Sequence, residues 1–193
     1  MKKILFIILI LLSSITNLIA DNNVKRIYEG KEDSKITILV YESLTCSHCA
    51  KFHVDVYPNL KKNYIDKGLV KLEYRNFPLD LAAFNAAKVV HCKSSNGEEI
   101  LHFLYKNQSE WVKGNTIEDL NINLEKILRS KNFGIDYNQC IKDKNIEDFV
   151  LEDRIEGVKK YNVDATPTLI INGKKFEKSL TYKNLEKTLE KLL

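Results

Sequence analysis

The sequence predicts an α/β protein whose two sheet-forming parts are separated by an all-helical insert. Three observations predict it. A β-rich run, an apolar repeat every four residues and a second β-rich run give an opening β-α-β unit. The stretch 79–162 then loses strand character and reads as a series of helices. After it, a short β-rich run, an Asn-Gly turn and an amphipathic segment give a closing β-β-α unit.

Each element has a local reason. Ile36–Tyr41 is rich in β-branched residues and suits a buried strand. From Cys46 onward, Phe52, Val56, Leu60 and Tyr64 form a helical stripe, which Pro58 should kink or break. Gly68 ends that segment, and Leu69–Arg75 reads as the second strand. In the insert, Asp80–Cys92 carries Ala82, Ala83, Ala86, Ala87 and Val90 at helical spacing. Ser94–Gly97 makes a turn and Glu98–Gln108 a further helix. Lys113–Thr116 breaks the chain, with Thr116 and Asp119 in capping-box spacing. Helices are predicted over Ile117–Ser130, Tyr137–Asp143 and Ile146–Tyr161. Thr168–Ile171 is the next strand, Asn172-Gly173 a hairpin turn, and Lys174–Phe176 the return strand. A last helix, Tyr182–Leu193, places Leu185, Leu189 and Leu192 on one face.

The first twenty residues read as an export signal. Lys2-Lys3 precede an apolar core from Ile4 to Leu12, a polar break follows at Thr16-Asn17, and Leu18-Ile19-Ala20 is a passable cleavage tripeptide. The apolar run is shorter than the roughly 20 residues a membrane span prefers, so an uncleaved anchor is the lesser alternative. These features look bacterial, and the expected location is the periplasm, where disulfides persist. The chain has 30 Lys and Arg against 26 Asp and Glu. Removing Lys2 and Lys3 leaves it near neutral. Only Arg26, Arg75, Arg129 and Arg154 are arginines, and no basic cluster interleaved with aromatics is present, which argues against nucleic acid as a partner. The length suits one core without a linker or internal repeat.

Cys46-Ser47-His48-Cys49 stands where the first strand gives way to the first helix. Two thiols one turn apart at a helix start form the layout of a dithiol/disulfide redox centre. The first cysteine meets unpaired backbone N–H groups and the positive end of the helix dipole, which favour its thiolate. His48 adds a donor, or a positive charge when protonated. Cys49, one turn in, is expected to be shielded from solvent. A lone C-x-x-C is also half of a zinc site, so its surroundings must decide.

Four segments together carry a resemblance. Ser43-Leu44-Thr45-Cys46-Ser47-His48-Cys49-Ala50, Arg75-Asn76-Phe77-Pro78-Leu79, Ala165-Thr166-Pro167-Thr168 and Ile171-Asn172-Gly173-Lys174 resemble the DsbA-like thiol:disulfide oxidoreductases in order and spacing. Ser-Leu-Thr before Cys46 looks most like the α-proteobacterial branch. The resemblance implies a thioredoxin-like fold over 21–78 and 163–193 with the helical insert over 79–162. It implies Cys46 as the exposed sulfur that forms mixed disulfides, Cys49 as its resolving partner and His48 beside them. It also implies a cis Pro167 facing the sulfurs, with the Thr166 backbone pairing with substrate; the alternative is a plain turn proline opening the next strand. The implied activity is donation of disulfides to reduced exported client proteins, with reoxidation by a DsbB-type membrane oxidase and no organic cofactor. An isomerase or reductase of the same fold is the alternative. Only Asp21–Asp33 precede the first strand, too short for the isomerases' dimerisation domain, so a monomer is expected.

Two departures stand out. Ser47 occupies a place where the family commonly has proline. Val40 occupies the place of a frequent buried glutamate, and Glu42, two residues on and on the same strand face, is the candidate replacement as proton acceptor.

Cys92 and Cys140 both fall in the insert. A structural disulfide between them is the main expectation, and two buried reduced cysteines are the alternative. His53 lies one turn after Cys49 and reads as helix surface or a neighbour of the redox site. A copper or zinc site built from Cys46, Cys49, His48 and His53 is the less favoured reading, so no metal is expected. His91 and His102 read as ordinary helix residues and Trp111 as a packing residue.

Overall fold

The computed structural model describes residues 24–93 and 95–193. The expected signal segment, 1–20, and Ser94 of the expected turn lie outside the described residues. Among the described residues, no helix is long and apolar enough to cross a membrane. The elements run β1 (Tyr28–Glu29), β2 (Ile36–Glu42), α1 (Ser47–Asp55), α2 (Tyr57–Leu60), β3 (Val70–Asn76), α3 (Leu81–His91), α4 (Gly97–Lys106), α5 (Gln108–Trp111), α6 (Ile117–Lys131), α7 (Tyr137–Lys142), α8 (Lys144–Tyr161), β4 (Thr168–Ile171), β5 (Lys174–Lys175) and α9 (Tyr182–Leu189). The sheet order is β1-β3-β2-β4-β5, with β2 and β3 parallel and the other neighbours antiparallel. The parallel pair needs the α1–α2 crossover, and the antiparallel β4–β5 pair needs only a tight turn. Asn172 and Gly173 supply it with φ of 46° and 81°.

Where the elements differ from expectation, the causes are local. β1 is a two-residue edge strand pairing with β3 inside the segment expected to precede all strands. It is too short to show a period. The Phe52-Val56-Leu60-Tyr64 stripe is buried throughout, yet it is not one helix. α1 stops at Asp55, Pro58 falls in the first turn of α2, and Lys61–Ile65 continue as a wide π turn. Pro58 lacks the N–H that an unbroken helix would need there. The helix expected over Glu98–Gln108 breaks at Asn107, whose side chain donates to the Phe103 carbonyl at 2.8 Å. The last helix ends at Leu189, so Leu192 is 38% exposed rather than part of the apolar face. Thr116 and Asp119 do form the reciprocal capping box of α6.

Alternation along β3 decides what covers each side of the sheet. Val70, Leu72 and Tyr74 join Ile36, Ile38 and Val40 of β2 in the main apolar core, together with Cys49, Phe52, Leu104, Trp111 and Leu185. Lys71, Glu73 and Arg75 point the other way. That face meets α8, whose Asp153 is fully buried and accepts from Arg75 at 3.1 Å, from the Asn76 backbone at 3.0 Å, from the Asn76 side chain at 2.8 Å, and from Arg26. Gly157 lets α8 come this close, since a Cβ there would lie 2.7 Å from the Tyr41 ring. Inside the insert, buried Lys88 ties α3 to Glu147 at 3.0 Å and to the Ile141 carbonyl. Cys92, at the end of α3, is bonded to Cys140 of α7.

Two stability outcomes follow. Asp153→Ala leaves Arg75 and the Asn76 amide without their buried acceptor and should cost about 3 kcal/mol in urea unfolding, with the m-value unchanged. The Cys92–Cys140 bond closes a separation of 48 residues. Loop-closure entropy then assigns the paired serine variant a loss of about 4 kcal/mol. That variant should keep Cys46 reactivity, checked by alkylation rate.

Candidate active site

β2 runs straight into the redox motif. Cys46 occupies the N-cap of α1 in extended backbone, φ −75° and ψ 118°, and its carbonyl accepts from the amides of Cys49 and Ala50, each at 3.1 Å. The approach to the helix is tied at several points. Thr45 donates to Asp80 at 2.7 Å, the Leu79 amide donates to Ser43 at 3.2 Å, and Gln108 donates to the Leu44 and Cys46 carbonyls at 2.8 and 3.0 Å. Asp80 is also the N-cap of α3. Gln108 escaped the sequence reading because nothing local marks a side chain some sixty positions away as a partner of Cys46.

The two sulfurs, both free thiols in this structure, have opposite surroundings. Cys46 is partly exposed and its pKa falls from 9.0 to about 5. The Cys49 thiol, donating to it, is the largest cause; partial burial opposes; Thr166 and the backbone amides of Cys49 and His48 add to the lowering. Cys49 is fully buried, and burial first, then its bond to Cys46 and the charge of Glu42, push its pKa far up. His48 is exposed, and its backbone amide contributes to the lowering.

The Thr166-Pro167 peptide bond is cis, and the Cys46 thiol donates to the Thr166 carbonyl at 3.4 Å. A groove of about 470 Å³ runs beside the motif, lined by His48, Phe52, Val56, Pro167, Leu180 and Thr181. Thus the loop before β4 and the start of α1 meet at Cys46, although they are 120 residues apart in sequence.

Beneath Cys49 lies a polar layer. Glu42, at the end of β2, is 6% exposed, and its carboxylate is 2.9 Å from the imidazole of His53. Expected as helix surface or site neighbour, His53 is buried and stacks on Tyr105 at 4.0 Å. Farther down, burial opposes ionisation of Glu29, yet bonds from His102, Lys61, Tyr74 and Tyr57 together hold its pKa well below the usual carboxylate range. His102, read from sequence as an ordinary helix residue, is part of that network at 3.0 Å from Glu29. His91 is a core residue bonded to Asn76, and burial lowers its pKa to about 4. Trp111 is fully buried and donates to the Leu104 carbonyl.

The four residues of the copper or zinc reading do not converge. His48 faces solvent while His53 is turned to Glu42. Among the described residues, Glu29, Glu98 and His102 come within metal-ligand reach of one another, but Glu29 is already bonded to Lys61 and two tyrosines.

The Cys46 shift has a definite sign in stability. Its folded pKa, about 5, lies below the 9.0 of an unperturbed thiol. The thiolate therefore stabilises the reduced fold fully above about pH 9, and this contribution is lost as pH falls through about 5. Melting curves of the reduced protein should rise relative to those of the oxidised protein between these values. Ultraviolet thiolate absorbance should titrate near 5, with Cys49 resisting alkylation.

Comparison with known proteins agrees with this geometry. The Thioredoxin family model matches residues 22–191. A putative protein-disulfide oxidoreductase of Rickettsia bellii is 28% identical over 75% of this chain and 56% of its own length. A probable disulfide bond formation protein D of Bacillus cereus is 31% identical, covering 75% of this chain and 68% of the relative. The chain thus spans little more than half of the Rickettsia relative. Among solved structures, alpha-DsbA1 of Wolbachia pipientis superposes with a TM-score of 0.78 at 30% identity, covering 87% of this chain and 90% of that one. The redox motif at a helix start, the cis proline against it and the helical insert accord with these matches, and the chain belongs to the DsbA-like disulfide oxidoreductases of the thioredoxin-like family.

Proposed function

We propose that this protein is an exported thiol oxidase that donates its Cys46–Cys49 disulfide to reduced client proteins in the periplasm. The observation that carries the reading is the asymmetry of the two sulfurs, one with its pKa lowered to about 5 and the other raised by burial. Stabilising a thiolate in the reduced form makes the disulfide form a stronger oxidant. A client thiolate attacks the Cys46 sulfur, the bond to Cys49 breaks and a mixed disulfide forms. A second client thiolate then closes the client's own disulfide and releases Cys46 as a thiolate, a good leaving group at neutral pH.

Clients lie along Thr166, whose backbone precedes a proline and is therefore extended. Contact with main chain rather than side chains suits a broad range of clients. The 1–20 segment directs export, a DsbB-type membrane oxidase returns the protein to the disulfide form, and the working unit is a monomer without an organic cofactor. The relatives' names as disulfide bond formation proteins support this direction of electron flow.

Equilibration of the Cys46–Cys49 pair with glutathione tests the reading. The expected potential lies near the strongly oxidising end, about −120 mV. A value near that of thioredoxin, about −270 mV, overturns it in favour of a reductase.

A further inference from the structure

The longest helix of the fold, α8, presents an apolar stripe on each of two opposite sides. Its inner side, with Phe149, Val150, Asp153 and Gly157, is buried against β3 and α3. On the outer side, Leu151, Ile155 and Val158 are 40%, 49% and 48% exposed. At 3.6 residues per turn, Ile155 lies about 200° round the helix from Asp153, so this stripe points away from the sheet. No other helix among the described residues exposes three large apolar side chains. The spacing, four residues and then three, is that of a seam between two helices.

The charges beside the stripe are divided between its ends. Asp148 and Glu152 lie on the N-terminal half and Lys159 on the C-terminal half, all exposed. Other charges of α8 are used within the chain: Glu147 pairs with Lys88 and Lys144, and Glu156 with Arg75 and Lys160. Among the described residues, Asp148, Glu152 and Lys159 take no part in such pairs. Glu152 also stands beyond the first turn, where the helix dipole would favour an acid.

We propose that two copies of this protein associate through the outer faces of α8, packed antiparallel about a two-fold axis. A two-fold axis brings the same patch of both copies together. Leu151, Ile155 and Val158 then interleave with their counterparts. Glu152 of each copy meets Lys159 of the other, a contact made twice. A parallel arrangement would instead set Glu152 against Glu152 and Lys159 against Lys159, and an anionic lipid surface would meet Asp148 and Glu152 with like charge. Two helices of 18 residues bury on the order of 1,000 Å² between them, the size of a weak and reversible contact. Since α8 covers the sheet face away from Cys49, each copy keeps a complete dithiol site. The single-chain working unit of the redox reading is unchanged.

Sedimentation velocity from about 1 µM to about 1 mM tests the proposal, because that range spans weak association. The oxidised protein is used so that no Cys46 disulfide between copies mimics the contact. The wild type should pass from monomer to dimer within this range, and Ile155→Asp should stay monomeric. Glu152→Lys alone, or Lys159→Glu alone, sets like charges together at both contacts and should weaken pairing about tenfold or more. Mixed in equal amounts, these two variants should associate with each other about as tightly as the wild type does with itself, because both contacts of the mixed pair join a lysine to a glutamate. All three side chains are exposed, so urea midpoints should stay at the wild-type value. A wild type that is monomeric up to about 1 mM overturns the proposal, leaves the stripe to a different partner, and depends on no variant's folding. A dimer that Ile155→Asp and both charge reversals leave intact overturns it by placing the contact elsewhere. A mixture that associates no more tightly than either variant alone overturns the antiparallel pairing and the proposal with it.

Discussion

Cys49 has no solvent exposure at the first turn of α1, beside a sulfur that solvent reaches. Burial disfavours charge on Cys49, while the Cys49 thiol first, and then the amides at the helix start, favour charge on Cys46. The difference exists only if the chain enters α1 at a fixed angle, with Cys46 in the cap and Cys49 turned inward. The ties that fix this angle come from outside the sheet. Asp80 at the start of α3 holds Thr45, and Gln108 at the start of α5 holds the Leu44 and Cys46 carbonyls. The helical insert therefore takes part in the redox site by setting the pose of its first helix.

β3 links that site to the rest of the molecule. Its residues alternate between the two sides of the sheet, so Tyr74 and Arg75 serve opposite faces. Tyr74 donates to Glu29 and packs against His53 below the dithiol. Arg75 holds Asp153 and Glu156 of α8 on the other side. Both faces contain buried charge, and Glu29 and Asp153 each answer their desolvation with several donors rather than one. Such arrangements are sensitive to removal of a single partner but not strong evidence of net stability. Their consequence here is geometric: α8 on one face and the polar layer on the other are indexed to the same strand.

The features that could be read from sequence are those whose causes are local. Cys46-Ser47-His48-Cys49 between a β run and an apolar stripe, Asn172-Gly173 between short strands, and Thr116 with Asp119 each carry their geometry within a few residues. Pro58 announced a break because the missing N–H acts where it stands. β1 went unread because two residues have no period, and its only cause is the free edge of β3. His53 was visible as a neighbour of Cys49 at helical spacing, but its pairing with Glu42 depends on how α1 crosses the end of β2. Gln108 and Asp153 act across the fold, where spacing along the chain carries no signal.

The position of Glu42 shows how a two-residue displacement along a strand keeps a carboxylate on the same sheet face while changing its partner. Val40, in the place where related proteins often carry a buried glutamate, is wholly apolar core here. Strand geometry keeps residues two apart on the same face, so moving the acid from 40 to 42 leaves it on the side of the sheet that α1 covers. It also moves the carboxylate to the last residue of β2, near the point where the chain turns toward α1. There the reachable partner is His53, one helical turn after Cys49 on the same helix. One helix thus carries both the buried thiol and the imidazole that faces the carboxylate, and any shift of α1 moves the two together. A carboxylate deeper in the strand would need a partner from another element, whose position is not tied to that of Cys49. Placing thiol and imidazole on a single rigid helix keeps their relation constant while the Cys46–Cys49 disulfide opens and closes.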